Sequence, residues 1–468
     1  MTTAPIETDY LVVGAGAIGM AFVDSLLTSS ADADIVMVDR RHRPGGHWND
    51  AYPFVRLHQP ASTYGVNSRE LGQGTMDRVG LNRGFYDLAS GPEIVGYFDQ
   101  VMQQRFLPSG RVRFLPKSAV VETDAVESLL TGQRRRVRVR RKVVDATFSD
   151  MRIPATTPPR YAVASGVRCV PLNDLVRLDR VQAGYVVVGS GKTGIDACLW
   201  LLEQGVDPGT IRWIMPRDSW LLDRANIQPG EAFFPRTCGD LTRQLEATAA
   251  ASDVPDLFRR LEAAGHLVRI DPRVQPGVYH GAIVSQAELA QLRRISGVVR
   301  LGHVKSIEAS RIELDHGSIP LADGELVVDC SAAGIPSRPT VPVWSGQRIT
   351  PQWVRSFGTV FSAALIAHIE ATFGDDAEAK NALCAPISPP TLATDWLRML
   401  AVSMDNGQRW ARHPQLVQWL AASRLNGMFH AMMNVRPDDA EKVALVQRYR
   451  AAIKPGMTRL QQLMATLP

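Results

Sequence analysis

The chain has 468 residues, 45% of them hydrophobic and 21% charged, with a formal net charge of +5. That length exceeds one ordinary domain, so two or three are expected, and the apolar fraction suffices for a full core. So slight a positive balance fits a protein that binds anionic cofactors and argues against a nucleic-acid partner, while five cysteines scattered without a C-x-x-C pair argue against a disulfide framework, a zinc or other metal site and a redox dithiol.

From the amino end, residues 1–7 lack a basic stretch followed by an apolar core, and no run approaches the roughly 20 apolar residues of a membrane span. A cytoplasmic protein with no membrane partner is expected. Residues 9–13 read as a strand, 17–27 as an apolar helix and 35–38 as a second strand ending at Asp39. Between strand and helix lies Gly14-Ala15-Gly16-Ala17-Ile18-Gly19. Residues 40–90 form a long irregular region, a length that in a compact domain is usually functional. Alternating stretches between 111 and 148 predict a small antiparallel meander. Within it, valines alternating with Arg134 to Lys142 mark a strand with one buried and one solvated face rather than a nucleic-acid surface. Residues 151–159, with three prolines, predict a crossing between domains.

A second strand–turn–helix unit follows over residues 184–217. Its turn is Gly189-Ser190-Gly191-Lys192-Thr193-Gly194, its helix is expected over 194–204 and its second strand over 211–215. Residues from 218 to about 255 read as a loop-rich insertion. Residues 324–330 predict a returning buried strand that leads to the small-residue turn Ser331-Ala332-Ala333-Gly334. Beyond about 351 the pattern is helical, with Trp396, Trp410 and Trp419 either in the core or along a pocket or oligomer face.

Both glycine runs fit the dinucleotide fingerprint, in which glycines permit a tight turn and let backbone approach a pyrophosphate at the positive end of a helix. Two of them suggest two dinucleotides and redox chemistry between them. Gly191-Lys192-Thr193 is no P-loop, because Val186 occupies the position where that motif needs glycine. Asp39 stands where an acid accepts the ribose hydroxyls of an adenosine. Arg217, at the corresponding place in the second unit, favours the 2′-phosphate of NADP, although the neighbouring Asp218 leaves a merely solvated arginine open. Asp196 reads as a carboxylate favouring the positive end of its helix, with a direct ligand contact equally open.

The run Arg40-Arg41-His42-Arg43-Pro44-Gly45-Gly46-His47-Trp48, followed by Tyr52-Pro53-Phe54-Val55-Arg56-Leu57-His58-Gln59-Pro60 and Tyr64, resembles the flavin-dependent monooxygenases of the flavin-containing and Baeyer–Villiger type. In that family a first glycine fingerprint, a strand-end acid, G-G-x-W and Y-P-G-x-R surround FAD, and a second fingerprint receives NADPH. The resemblance covers most of residues 8–335. It implies FAD near Gly14, Gly16, Gly19, Asp39, Arg40, Gly46 and Trp48, and NADPH near Gly189, Gly191, Lys192, Thr193, Gly194 and Arg217. It places Arg56, His58 and Gln59 beside the flavin ring, as candidate catalytic residues. For His58, a role at the ring and a packing role in a polar loop stay open.

The implied fold is α/β, with two Rossmann-like dinucleotide-binding domains and a C-terminal helical region. The expected divisions are 1–172 for the first part of the FAD domain, 173–325 for an inserted NADPH domain and 326–468 for completion of the FAD domain. The implied activity is monooxygenation of a small-molecule substrate with dioxygen, by nitrogen or sulfur hydroxylation or Baeyer–Villiger insertion; a homo-oligomer stays open. Three departures stand out: Phe54 replaces the glycine of Y-P-G, His47 a small residue or Thr, and residues 160–171 hold no histidine where the family has F-x-G-x-x-x-H. The last favours an alternative, an NADPH-dependent flavoprotein reductase or dehydrogenase without oxygen insertion.

Overall fold

The computed structural model describes residues 5–122 and 124–467. Its framework is two parallel sheets. The first opens with strand β1 (Ile6–Val13), helix α1 (Ala17–Ser29) and strand β2 (Ile35–Val38). Tyr10, Leu11 and Val12 on β1 and all of β2 are buried, so these strands read as continuous apolar runs, as a sheet covered on both faces requires. β1 pairs in parallel with β2 on one side and with Arg134–Asp145 on the other, and Val112–Leu115 extends the sheet beyond β2.

The expected meander is therefore divided. Ser118–Glu122, Ala125–Ser128 and the first residues of Arg134–Asp145 make it, but the rest of that 12-residue strand belongs to the main sheet, as does Val112–Leu115. Val137 points into the core while the arginines face solvent, Arg134 paired with Glu127 and Arg140 with Asp9.

The second sheet runs Gly297–Val299, Ile211–Ile214, Gly184–Val188, Glu325–Asp329, Cys169–Pro171, all parallel. Helix Lys192–Glu203 covers one face. On the other, Val186, Val188 and Ile214 pack against Ile307, Ile312 and Leu314 of a small sheet. Glu325–Asp329 thus lies inside the second sheet, so the chain returns to the first only after Asp329. The outgoing and returning crossings run side by side, with the Arg152 N–H donating to the Gly334 carbonyl at 2.8 Å.

Residues 218–255 are not loop-rich: they hold strand Ser219–Asp223 and the 17-residue helix Phe234–Ala250. That helix contains Thr237, Gly239 and Thr242, poor helix formers, so local propensity does not announce it. Tertiary burial of Phe234, Cys238 and Leu245 against Val446, Tyr449 and Ala452 of the long helix Ala440–Met464 stabilises it instead. Among the described residues no helix is long and apolar enough to cross a membrane.

One buried charge pair fixes the C-terminal helices to the first sheet. On helix Thr359–Thr372, which packs on α1, Glu370 accepts from Lys380 Nζ at 2.6 Å, Trp344 Nε1 at 2.8 Å and the Tyr10 hydroxyl at 3.1 Å. Lys380 and Glu370 keep side-chain exposures of only 1% and 4%. Removing one partner leaves the other charge buried and unmatched, a loss of about 3–5 kcal/mol. Lys380→Met should therefore lower the urea midpoint by that equivalent, and Glu370→Gln added to it should recover part of the loss. Equal midpoints for wild type and Lys380→Met would show that the pair contributes nothing net.

Candidate functional site

A cleft of about 2240 Å³ opens where the two sheets face each other and the C-terminal helices close over them. It is lined by Gly14, Gly16, Asp39, Arg40, Gly46, Trp48, Arg56, His58 and Gln59 from the first unit, and by Gly189, Gly191, Lys192, Thr193 and Arg217 from the second. Gly19 and Gly194 stand behind these walls.

The first turn is built so that only glycine fits. Gly14 has φ +99°, and a Cβ there would come 2.9 Å from Thr147 Cγ2. A Cβ on Gly19 would lie 2.0 Å from the Gly14 carbonyl oxygen, and one on Gly46 (φ +56°) 2.9 Å from Gly16 Cα. The loop carrying the G-G-x-W run is thus pressed against the fingerprint, with Gly45 N–H donating to the Ala15 carbonyl at 2.9 Å. The amino end of α1 has neither a capping side chain nor an acidic residue in its first turn, so its N–H groups and positive dipole are free for an anion. Asp39 accepts one amide on each oxygen, from Ala15 at 2.7 Å and Arg41 at 2.8 Å, which aims its remaining lone pairs. Arg40 is exposed, whereas Arg41 pairs with Asp50 at 2.6 Å. Trp48 Nε1 donates to the Tyr64 hydroxyl at 3.0 Å, and His47 lies against the Trp48 ring at 4.9 Å.

The second turn repeats the design. Gly189 has φ +121°, and its Cβ would come 2.5 Å from the Cys330 carbonyl. A Cβ on Gly194 would again be 2.0 Å from the carbonyl of the first glycine. The helix after it begins at Lys192, two residues earlier than expected, and it too is uncapped. Asp196 consequently falls past the first turn. It takes Lys192 Nζ and, at 2.5 Å, the hydroxyl of Tyr52. Asp218 is held by Arg300 at 2.9 and 3.1 Å, which leaves the exposed guanidinium of Arg217 with no carboxylate partner among the described residues.

Phe54, the residue in place of the family's glycine, stacks on Trp200 of the second unit's helix (4.8 Å, 16°). With the Tyr52–Asp196 bond it fastens the first unit's loop to the second unit.

His58 lies at the same seam. Its Nδ1 accepts from the Ile283 N–H at 3.2 Å, and its carbonyl accepts from Arg224 Nε at 3.2 Å. Desolvation, with Lys192 and Arg224 nearby, pushes the imidazole down to about 3, so it is neutral and carries its proton on Nε2. Arg56 is exposed at the rim and donates to the Leu88 carbonyl at 2.9 Å, and Gln59 is half-buried on the wall.

Sequence reasoning missed three features. Arg224, 2% exposed, is paired with Glu288 at 2.8 Å and fixes the His58 carbonyl from below. Phe357 adopts φ +54° at the start of helix Thr359–Thr372, with its ring where a Cβ on Gly281 would be, 2.1 Å from Cε1. Arg355 lines the same lobe of the cleft. Nothing local in the sequence marks any of them, because each depends on partners far away in the chain. Of the three tryptophans, Trp396 lines the cleft, Trp410 is core, and Trp419 stacks on His368 at 5.2 Å.

No family model matches the chain. An uncharacterized protein of Mycobacterium tuberculosis (strain ATCC 25618 / H37Rv) is 51% identical over 421 residues, covering 90% of this chain and 78% of that one, and a protein of Mycobacterium bovis matches equally. The chain belongs to the family of these mycobacterial proteins. It is also 25% identical over 196 residues to a probable FAD-binding monooxygenase of Acinetobacter baylyi, across 40% of this chain and 37% of that one. Among solved structures it is similar to a flavin-containing monooxygenase from Stenotrophomonas maltophilia (14% identity, 80% of this chain, 99% of that one, TM-score 0.47). A steroid monooxygenase bound to NADP is similar over 97% of this chain and 98% of its own, at 13% identity and TM-score 0.49.

Four histidines, His47, His58, His280 and His368, are made harder to protonate by burial, which gives the fold a pH signature. Burial pushes His47 and His368 down to about 4, and His58 to about 3, while unfolded histidine titrates near 6.5. The unfolded chain therefore binds more protons below pH ~6.5, and stability present above that value is lost as pH falls toward 4. His58→Asn should flatten the stability–pH slope between about pH 6 and 4 by roughly one proton. Urea midpoints across that range check this, and an unchanged slope would contradict a neutral His58.

Proposed function

We propose that the chain is an FAD-dependent, NADPH-consuming monooxygenase that transfers an oxygen atom from dioxygen to a small molecule, at a soft nitrogen or sulfur or beside a ketone carbonyl. The observation that carries this reading is the pair of uncapped helix ends, each preceded by a turn that only glycine fits, opening onto one cleft. Two dinucleotides bound this way share one enclosure, as hydride passage between them needs.

FAD is assigned to Gly14, Gly16, Gly19, Asp39, Arg40, Gly46 and Trp48, and NADPH to Gly189, Gly191, Lys192, Thr193, Gly194 and Arg217. In domain terms, 1–172 and 326–468 form the FAD part and 173–325 the NADPH part, with strands Cys169–Pro171 and Glu325–Asp329 given to the second sheet. FAD held by these residues would supply the redox chemistry, hydride acceptance and electron delivery to dioxygen.

The chain's share is placement and protection. Asp39, already fixed by two amides, accepts ribose hydroxyls with its free lone pairs. Arg217, unopposed because Arg300 holds Asp218, meets a 2′-phosphate. His58 offers Nε2–H as a donor into the cleft and is not a proton acceptor at Nδ1, which the Ile283 amide occupies. Arg56 and Gln59 bring polar groups to the same wall. Trp353, Phe357, Trp396 and Met399 bring apolar surface to the cleft beneath the C-terminal helices, which would limit water around a bound substrate. Five free thiols suit a reducing cytoplasm.

A second reading, an NADPH-dependent reductase without oxygen insertion, is favoured by one observation. In the segment where the resembled family carries its histidine, Tyr161 instead gives its hydroxyl to Asp329 at 2.9 Å, and burial raises that phenol far above its ordinary range.

Anaerobic NADPH should bleach the bound flavin, and under labelled dioxygen one atom of label should enter the product. Hydrogen peroxide alone with every nitrogen, sulfur and ketone substrate tried would hand the site to the reductase reading. Arg217→Ala should weaken NADPH about tenfold or more while leaving NADH unchanged. Equal effects on the two nucleotides, measured by titration of bound-nucleotide fluorescence, would move the 2′-phosphate elsewhere.

A further inference from the structure

Of the cations at or near the core, Arg224 and Lys380 have carboxylate partners, Arg424 has backbone carbonyls, and Arg355 has neither among the described residues. Arg224 meets Glu288 at 2.8 Å and Lys380 meets Glu370 at 2.6 Å. Arg424 donates to the carbonyls of Ser62, Tyr64, Val66 and Arg69. Arg355 has no carboxylate within ion-pair distance among the described residues, and its single hydrogen bond runs from Nη1 to the Asn426 side-chain oxygen. Asn426 is held in that orientation because its Nδ2 donates to the Leu420 carbonyl at 2.8 Å.

The guanidinium is enclosed by rings, with its carbon 3.9 Å from the Phe361 centroid, 4.8 Å from Phe429 and 5.1 Å from Trp410. Arg355 nevertheless lines the cleft and is only partly buried. Its Nε and Nη2 make no hydrogen bond, and neither is among the sealed polar atoms. The edge left open is the Nε–Nη2 fork, the one that grips a carboxylate with two parallel bonds. Beyond it the cleft is lined by Phe357, Trp396, Met399, Leu400 and Met404, with Ser403, His266 and Asp240 as polar neighbours.

We infer that Arg355 is a specificity residue that anchors the carboxylate of a substrate whose remaining body is apolar and lies along that wall. The inference deepens the oxygenase reading and rests on it for the word substrate, but the anion site itself is a property of the lobe. Its missing counter-charge is visible in its acidity: burial pushes the guanidinium down to about 9, with only the Tyr449 hydroxyl opposing. A bound carboxylate would give Arg355 the balance that Glu288 gives Arg224 and Glu370 gives Lys380. A neutral amide of the same shape offers one acceptor oxygen and no charge, a difference of about tenfold or more in affinity.

The test uses 3-phenylpropionate and its neutral counterpart 3-phenylpropanamide, titrated calorimetrically into the FAD-loaded full-length protein. Wild type should bind the acid about tenfold or more tightly than the amide. Arg355→Gln should bind both alike, and Arg355→Lys should keep part of the preference. Thermal shift of the wild type with each compound repeats the comparison without any variant. Wild type that fails to distinguish the two, or that binds neither, overturns the inference, as does a Gln variant with wild-type discrimination. Anaerobic bleaching by NADPH is measured on the same preparations. Lost bleaching with the acid preference intact would remove the flavin reading alone, and normal bleaching without the preference would remove only the anion site.

Discussion

In both glycine turns the carbonyl of the first glycine occupies the place where a side chain on the third glycine would begin, 2.0 Å away in each. Strand and helix are held that close in order to bring the free amides of a helix end to the strand's carboxyl edge. Any other residue at Gly19 or Gly194 would drive helix from strand. The rest of the molecule can be read as support for these two turns. The first sheet and the Glu370–Lys380 pair hold one, the second sheet holds the other, and the twin crossings at Arg152 and Gly334 set them across a common cleft.

The seam between the units is more built than a simple hinge. Tyr52 reaches Asp196, Phe54 stacks on Trp200, and His58 bridges to Ile283. All three come from one short loop of the first unit. A sequence position that departs from the resembled family, Phe54, is thus a contact with the neighbouring unit, and the adjoining histidine is kept neutral by burial at the same place.

Where a local rule was sufficient, the sequence was legible. Apolar runs ending in glycine turns located both strand–turn–helix units, and the strand of alternating arginine and valine did show one buried valine and a solvated, salt-bridged face. Tertiary packing hid the rest. Helix Phe234–Ala250 has weak propensity and exists because Ala440–Met464 covers it. Strand Glu325–Asp329 was legible as buried, but a continuous apolar run does not say which sheet it joins. Of the candidate site residues, those on the two turns could be found from spacing. Arg224 and Arg355 could not, since a lone arginine in a sequence carries no sign of what lies opposite.

The central claim is that two unlike nucleotides lie against two separate turns of one cleft. A crystal structure grown with FAD and NADP+ tests it most directly. The account predicts the FAD pyrophosphate at the Gly14–Gly19 turn and the NADP+ pyrophosphate at the Gly189–Gly194 turn, with the 2′-phosphate beside Arg217. Density for nucleotide at only one turn under saturating concentrations of both, or FAD lodged at the second, would contradict it.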